Sequence, residues 1–142
     1  MPCRDYLSQV RQAYPEIEAV GGRALAVSVG HGFQAEALIA AGMPFPLLID
    51  REKRVAHALG VRASALGVLN PRGWWNYLRA LLHGHRQGRI PAGGATQMPG
   101  LAILDSDGAP VFVHRGWALG DYPPLPSVIR RLRATVDGHG AA

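Results

Sequence analysis

Few residues of this chain are suited to chemistry, and the first of them stands at its start. Cys3 is the single cysteine among 142 residues, and it opens a stretch in which Leu7, Val10, Tyr14 and Ile17 recur at helical spacing. Arg4, Asp5, Ser8, Arg11 and Gln12 fall on the other faces, so an amphipathic helix is expected to begin at the thiol. A thiol in a first helical turn meets unpaired backbone N–H groups and the positive end of the helix dipole, and both favour the nucleophilic thiolate. Arg4 adds a positive charge beside it. The alternative is that Cys3 is only a small apolar residue at a helix end. The other candidates are His83 and His85, in the basic stretch from His83 to Arg89. No neighbouring carboxylate or cysteine completes a metal shell there, so the stretch reads as a solvated loop or an anion-binding edge, and no metal site is expected. The glycines of Gly93 to Thr96 lack the lysine and spacing of a phosphate loop.

The elements that must position the thiol follow in order. Pro15 should end or kink the first helix near Tyr14. Arg23 to Val29 is a nearly continuous apolar run, the pattern of a strand buried on both faces. A helix over Phe33 to Ala41 should end at Gly42, and Leu47 to Ile49 is apolar enough for a strand. Asp50 should cap a helix from Arg51 to Leu59 with Val55, Ala56 and Leu59 inward. Asn70-Pro71 opens a helix holding Trp74, Trp75, Tyr77, Leu78, Leu81 and Leu82, which cover more of the circumference than one buried face needs. Such a helix suits a lid, a dimer contact or a packed insertion. Pro99-Gly100 leads into a strand at Leu101 to Leu104, Asp105 to Gly108 turns the chain, and Val111 to Val113 returns as the second arm of a hairpin. Leu125, Val128, Ile129, Leu132 and Val136 mark a closing amphipathic helix with Arg130, Arg131 and Arg133 outward. The alternation predicts an α/β fold with a sheet flanked by helices.

Composition narrows the class. The length suits one domain, expected over 1–136, with 137–142 as a disordered tail. No apolar run can span a bilayer and no signal peptide is recognisable, so a cytoplasmic location and no membrane partner are expected. A single cysteine agrees with a reducing compartment and means that any redox role needs a second thiol. The net charge is +5, but the basic residues are spread from Arg4 to Arg133 and not gathered in a tail, so nucleic acid is not an expected partner.

A cysteine opening a helix, then strand, helix, strand, a proline directly before a hairpin, and a closing helix follow the order of a thioredoxin fold. Pro2 to Leu7, Tyr14 to Ile17, Pro44 to Asp50, Gly84 to Gly88, Leu104 to Gly108, and His114-Arg115 with Gly120 to Pro124 resemble the peroxiredoxin-like proteins of the AhpC/TSA superfamily. The resemblance runs over nearly the whole chain and rests on the order of these motifs more than on any one. It implies a Cys-x-x-Cys at the start of the first helix, in which one thiolate attacks and the other resolves the mixed disulfide. Pro2-Cys3-Arg4 matches the end of that motif, which puts Cys3 at the resolving position, with Arg4 as its electrostatic support and the attacking cysteine immediately before Met1. Met98-Pro99 matches the proline, cis in thioredoxins, that lies against the active cysteines, where the Met98 backbone would face a substrate chain. The alternative for Pro99 is an ordinary proline at a strand start.

Thioredoxin-like chains also carry an interior strand before the cysteine motif, and this sequence has no residues for it. The expectation is therefore that Met1 is an internal methionine and that a cysteine and a strand precede it, which the genomic codons before Met1 would test. What the resemblance implies is a thiol oxidoreductase acting by thiol–disulfide exchange on a peroxide or a protein disulfide, inactive if its first cysteine is missing. It needs no cofactor and a thioredoxin- or glutathione-type reductant as partner. The peroxidatic Pro-x-x-x-Thr/Ser-x-x-Cys pattern is absent. The alternatives are a non-catalytic thioredoxin-fold binding module using the Trp74 to Leu82 helix, as partner site or homodimer contact, and an anion or nucleic-acid binder using Arg79 to Arg89.

Overall fold

The computed structural model describes residues 2–29, 39–40, 42–61, 71, 75, 78–79, 82 and 97–140. The first helix, α1, runs Pro2–Gln12, and a second, α2, runs Tyr14–Ala19 with Pro15 in its first turn. The break falls at Ala13, where the proline can no longer continue the preceding ladder but is well placed to start a new one. Strand β1 is Ala26–Ser28, β2 is Leu47–Ile49, and a short helix α3 spans Arg54–Ala58. The hairpin strands are β3, Gly100–Leu104, and β4, Pro110–Arg115; α4, Leu125–Gly140, closes the described chain.

The strands form two ladders. β1 and β2 are parallel, with Ala26 opposite Leu47 and Ser28 opposite Ile49. β3 and β4 are antiparallel, with Gly100 opposite Arg115 and Ile103 opposite Phe112, and the register slips between Ile103 and Leu104. Among the described residues the two ladders do not pair with each other. They share one core: Tyr6, Tyr14 and Ile17 from the first two helices, Ala26, Phe45, and Leu125 and Ile129 from α4 are buried together, with Leu47 and Leu101 packed against them. Tyr14 meets Phe45 at 5.5 Å between ring centroids, and the Arg131 guanidinium lies 4.5 Å from the Phe112 ring centre.

Several expectations hold locally. Asp105 Oδ1 accepts from the N–H groups of Asp107 and Ala109, which builds the hairpin turn. Gly42 has φ +72°, the left-handed conformation that glycine adopts without strain after a helical residue, here following the helical Ile39 and Ala40.

Others are corrected. β1 is not buried on both faces: Ala26 is buried, whereas Leu25 and Val27 are exposed. A three-residue strand alternates its side chains, so only one face can lie on the shared core. The helix expected from Arg51 to Leu59 with Asp50 at its cap is shorter: α3 starts at Arg54 with Lys53 at the cap position, and Asp50 reaches in only to accept from the Val55 N–H at 2.7 Å. Val55 is exposed instead of inward. The helix before the C-terminus does not stop at Val136; Asp137 to Gly140 continue α4, where the expectation was a disordered tail. Once a helix is nucleated each further residue adds a hydrogen bond, which offsets the weak propensity of its glycines. Residues 30–38, with most of the expected helix at Phe33 to Ala41, lie outside the described residues. So do Trp74, Tyr77 and Leu81, the His83 to Arg89 stretch and Gly93 to Thr96.

Candidate functional site around Cys3

Cys3 sits in the first turn of α1, half-buried, with Arg4 half-buried beside it. One turn on, the Tyr6 side chain falls on the same face as Cys3, because residues three apart are neighbours on a helix. Its hydroxyl donates to the Pro123 carbonyl at 2.9 Å, and its ring stacks on Tyr122 with centroids 4.3 Å apart and planes 9° from parallel. Burial pushes the Tyr6 hydroxyl up to about 12. Tyr122 is raised well above the ordinary tyrosine value of 10.0, first by burial and then by Cys3, which acts on it through charge and through a side-chain hydrogen bond. The thiol therefore faces a phenol that keeps its proton across the neutral and mildly alkaline range.

The loop after β4 ties this corner to Met98-Pro99. Gly116 N–H donates to the Pro99 carbonyl at 2.8 Å, and a Cβ on Gly116 would stand 2.6 Å from Pro99 Cγ and 2.8 Å from the Asp121 carbonyl. Only glycine fits there. The Asp121 carboxylate accepts from the Trp117 N–H at 2.9 Å. The His114 ring contacts the Asp121 carbonyl at 2.9 Å, and because a carbonyl only accepts, Nε2 carries the proton. The chain then passes through Tyr122 and Pro123 to reach Tyr6. One loop thus touches Pro99 at one end and the first two turns of α1 at the other.

The geometry also refines those expectations. Met98 is 4% exposed and Pro99 is buried, so the side chain of Met98 belongs to the core and only its backbone could face another chain. The proline is not cis: every described peptide bond is trans, Met98-Pro99 included, the isomer that X-Pro bonds favour unless a turn demands the other. Pro99 directly precedes β3. Tyr6 and Tyr122 were missed from the sequence. The spacing from Cys3 would have found Tyr6, but nothing short of the fold places Tyr122, more than a hundred residues away, against the thiol.

A pair of parallel strands, a following hairpin and closing helix, and a cysteine in the first turn of a helix fit a thioredoxin-like α/β protein. The chain belongs to the AhpC/TSA antioxidant enzyme family, whose family model matches residues 9–117. The match covers most of the chain; Cys3 lies before it and Tyr122 after it. No curated protein matches the chain.

Proposed function

We propose that this chain is a peroxiredoxin-like thiol oxidoreductase in which Cys3 carries the thiol–disulfide step. The observation that supports this most is the half-buried thiol in the first turn of α1, set against the protonated Tyr122 hydroxyl. In the exchange, the Cys3 thiolate acts at the resolving position: it attacks the mixed disulfide that an attacking cysteine has formed with the substrate, makes a disulfide with that cysteine and releases the substrate sulfur as a thiolate, which takes up a proton. With one cysteine in the sequence, the attacking thiol has to come from outside these 142 residues. A thioredoxin- or glutathione-type donor in a reducing, cytoplasmic setting then reduces that disulfide. Arg4 supports the thiolate electrostatically, and the Met98-Pro99 backbone offers the edge along which a substrate chain would lie.

The test is direct. The chain is incubated with a disulfide, with hydrogen peroxide and with a dithiol reductant, and mixed disulfide, peroxide loss and reductant consumption are followed. Mixed disulfide on Cys3 that disappears in Cys3→Ser supports the reading. If this chain forms the adduct without turning over, while an upstream-extended chain turns over, the missing thiol lies upstream. If neither turns over, the second reading takes its place: a non-catalytic thioredoxin-fold binding module, which the single cysteine favours. Sedimentation velocity on the same samples tests for a homodimer.

A further inference from the structure

Tyr122 is pinned against the start of α1 by contacts that leave its hydroxyl to Cys3. Its ring stacks on Tyr6 at 4.3 Å between centroids, and the Tyr6 hydroxyl, one helical turn on from Cys3, donates to the Pro123 carbonyl at 2.9 Å. The Tyr122 side chain shares a hydrogen bond with Cys3, and burial together with the charge of Cys3 holds the phenolic proton in place well above the ordinary tyrosine value of 10.0. A thiolate has no proton to give, so in this bond the phenol donates and the sulfur accepts. Arg4 and Asp5 are the charged groups that follow Cys3 on α1, and Asp5 accepts from Gln9 Nε2 at 3.0 Å.

We propose that Tyr122 is a positioning residue that sets the redox poise of Cys3: its hydroxyl donates to the thiolate sulfur and so favours the reduced chain over any disulfide made at Cys3. The inference rests on the reading of Cys3 as the exchanging thiol. A hydrogen bond to an ionised acceptor is stronger than one to a neutral acceptor. The thiolate carries a full charge and a disulfide sulfur carries none, so the bond is strong before exchange and weak after it. A pair whose reduced form is stabilised in this way is the more oxidising, and its disulfide is the more easily reduced. When Cys3 meets a small disulfide, its thiolate attacks one sulfur, the old S–S bond breaks and a new one forms to Cys3. The Cys3 sulfur is oxidised, and the released sulfur is reduced to a thiolate that takes a proton from water. Tyr122 gives up no proton in this step; it loses the anion to which it donates.

The test equilibrates the whole chain with 2-mercaptoethanol and hydroxyethyl disulfide and reads the ratio of mixed disulfide to thiol at Cys3 by mass spectrometry. Tyr122→Phe keeps a ring on Tyr6 and removes only the hydroxyl. At about pH 9.5, above the ordinary thiol value, the variant should hold about tenfold more mixed disulfide than the native chain. At about pH 6, where a thiol replaces the thiolate, the difference should fade. A merely structural role for Tyr122 would move the ratio alike at both. A second measurement needs no variant: capping Cys3 of the native chain as its methyl disulfide removes the anion, and tyrosinate absorbance should then rise at lower pH than in the reduced chain. Equal ratios at the higher pH, a change of the same size at both, or superimposable tyrosinate curves each overturn the proposal. The poise is read without turnover, so the two readings fail separately. The expected shift in a chain that never turns over upholds Tyr122 and removes the oxidoreductase; equal ratios in a chain that does turn over remove the role of Tyr122 alone.

Discussion

Tyr122 changes how Cys3 is understood. A thiol at a helix end has little meaning alone, but here a buried phenol shares its surroundings and a second phenol, Tyr6, stacks beneath. Cys3 acts on Tyr122 in two ways. In the alkaline range a Cys3 thiolate repels a tyrosinate at Tyr122, and its hydrogen bond holds the phenolic proton in place. Replacing the thiol by a neutral hydroxyl should therefore let Tyr122 ionise at lower pH. Its titration should stay above the ordinary tyrosine range, since burial is the larger cause and remains. Tyrosinate absorbance followed against pH in the native chain and in Cys3→Ser measures this, and superimposable curves would place the thiol out of reach of the phenol.

At the scale of elements, the loop from Gly116 to Pro123 assembles the corner. It was legible in the sequence only as a string of turn residues, because glycine, aspartate and proline announce a change of direction without saying what lies on either side. The close approach of Gly116 to Pro99 gives that loop its place. Gly116→Ala would drive a methyl into a proline ring and a backbone carbonyl, neither of which can swing aside. A loss of about 1–3 kcal/mol in denaturant unfolding is expected, together with a changed rate of Cys3 alkylation as the loop pulls away from α1. An unchanged alkylation rate in a destabilised variant would separate Pro99 from the thiol corner. α1, its break beside Pro15 and the hairpin turn were readable beforehand, since proline position, turn chemistry and side-chain periodicity act within a few residues.

For the molecule as a whole, stability depends on the core shared by both ladders and the helices. Ile129 on α4 is buried in it, so Ile129→Ala should cost about 2–5 kcal/mol, as cavity-forming substitutions do. Thermal unfolding would show it as a drop of several degrees in Tm. The two phenols add a pH dependence at the alkaline end. Both stay protonated in the folded state above the ordinary tyrosine value of 10.0, Tyr6 to about 12. The unfolded chain binds fewer protons in that window, so this stability is fully present below about pH 10 and declines as pH rises towards 12. Tm measured across that range should fall more steeply in the native chain than in Tyr6→Phe, which has no phenol to ionise at that position. Equal slopes would mean that Tyr6 is solvated in solution.

The sequence alone determined what local physics controls: where the first helix starts and breaks, which runs hold strands, that one thiol stands in a first helical turn, and, through the order of its motifs, the family. It misjudged burial at Leu25, Val27 and Val55, because an apolar residue records a tendency to be covered and not whether another element arrives to cover it. Only the tertiary structure decided that Tyr122 and Pro123 meet the first turns of α1 in a loop whose other end, Gly116, lies on Pro99, and that Trp75, Leu78 and Leu82 are exposed. Those contacts join residues far apart in the chain, and no periodicity or spacing carries that information before the core has closed.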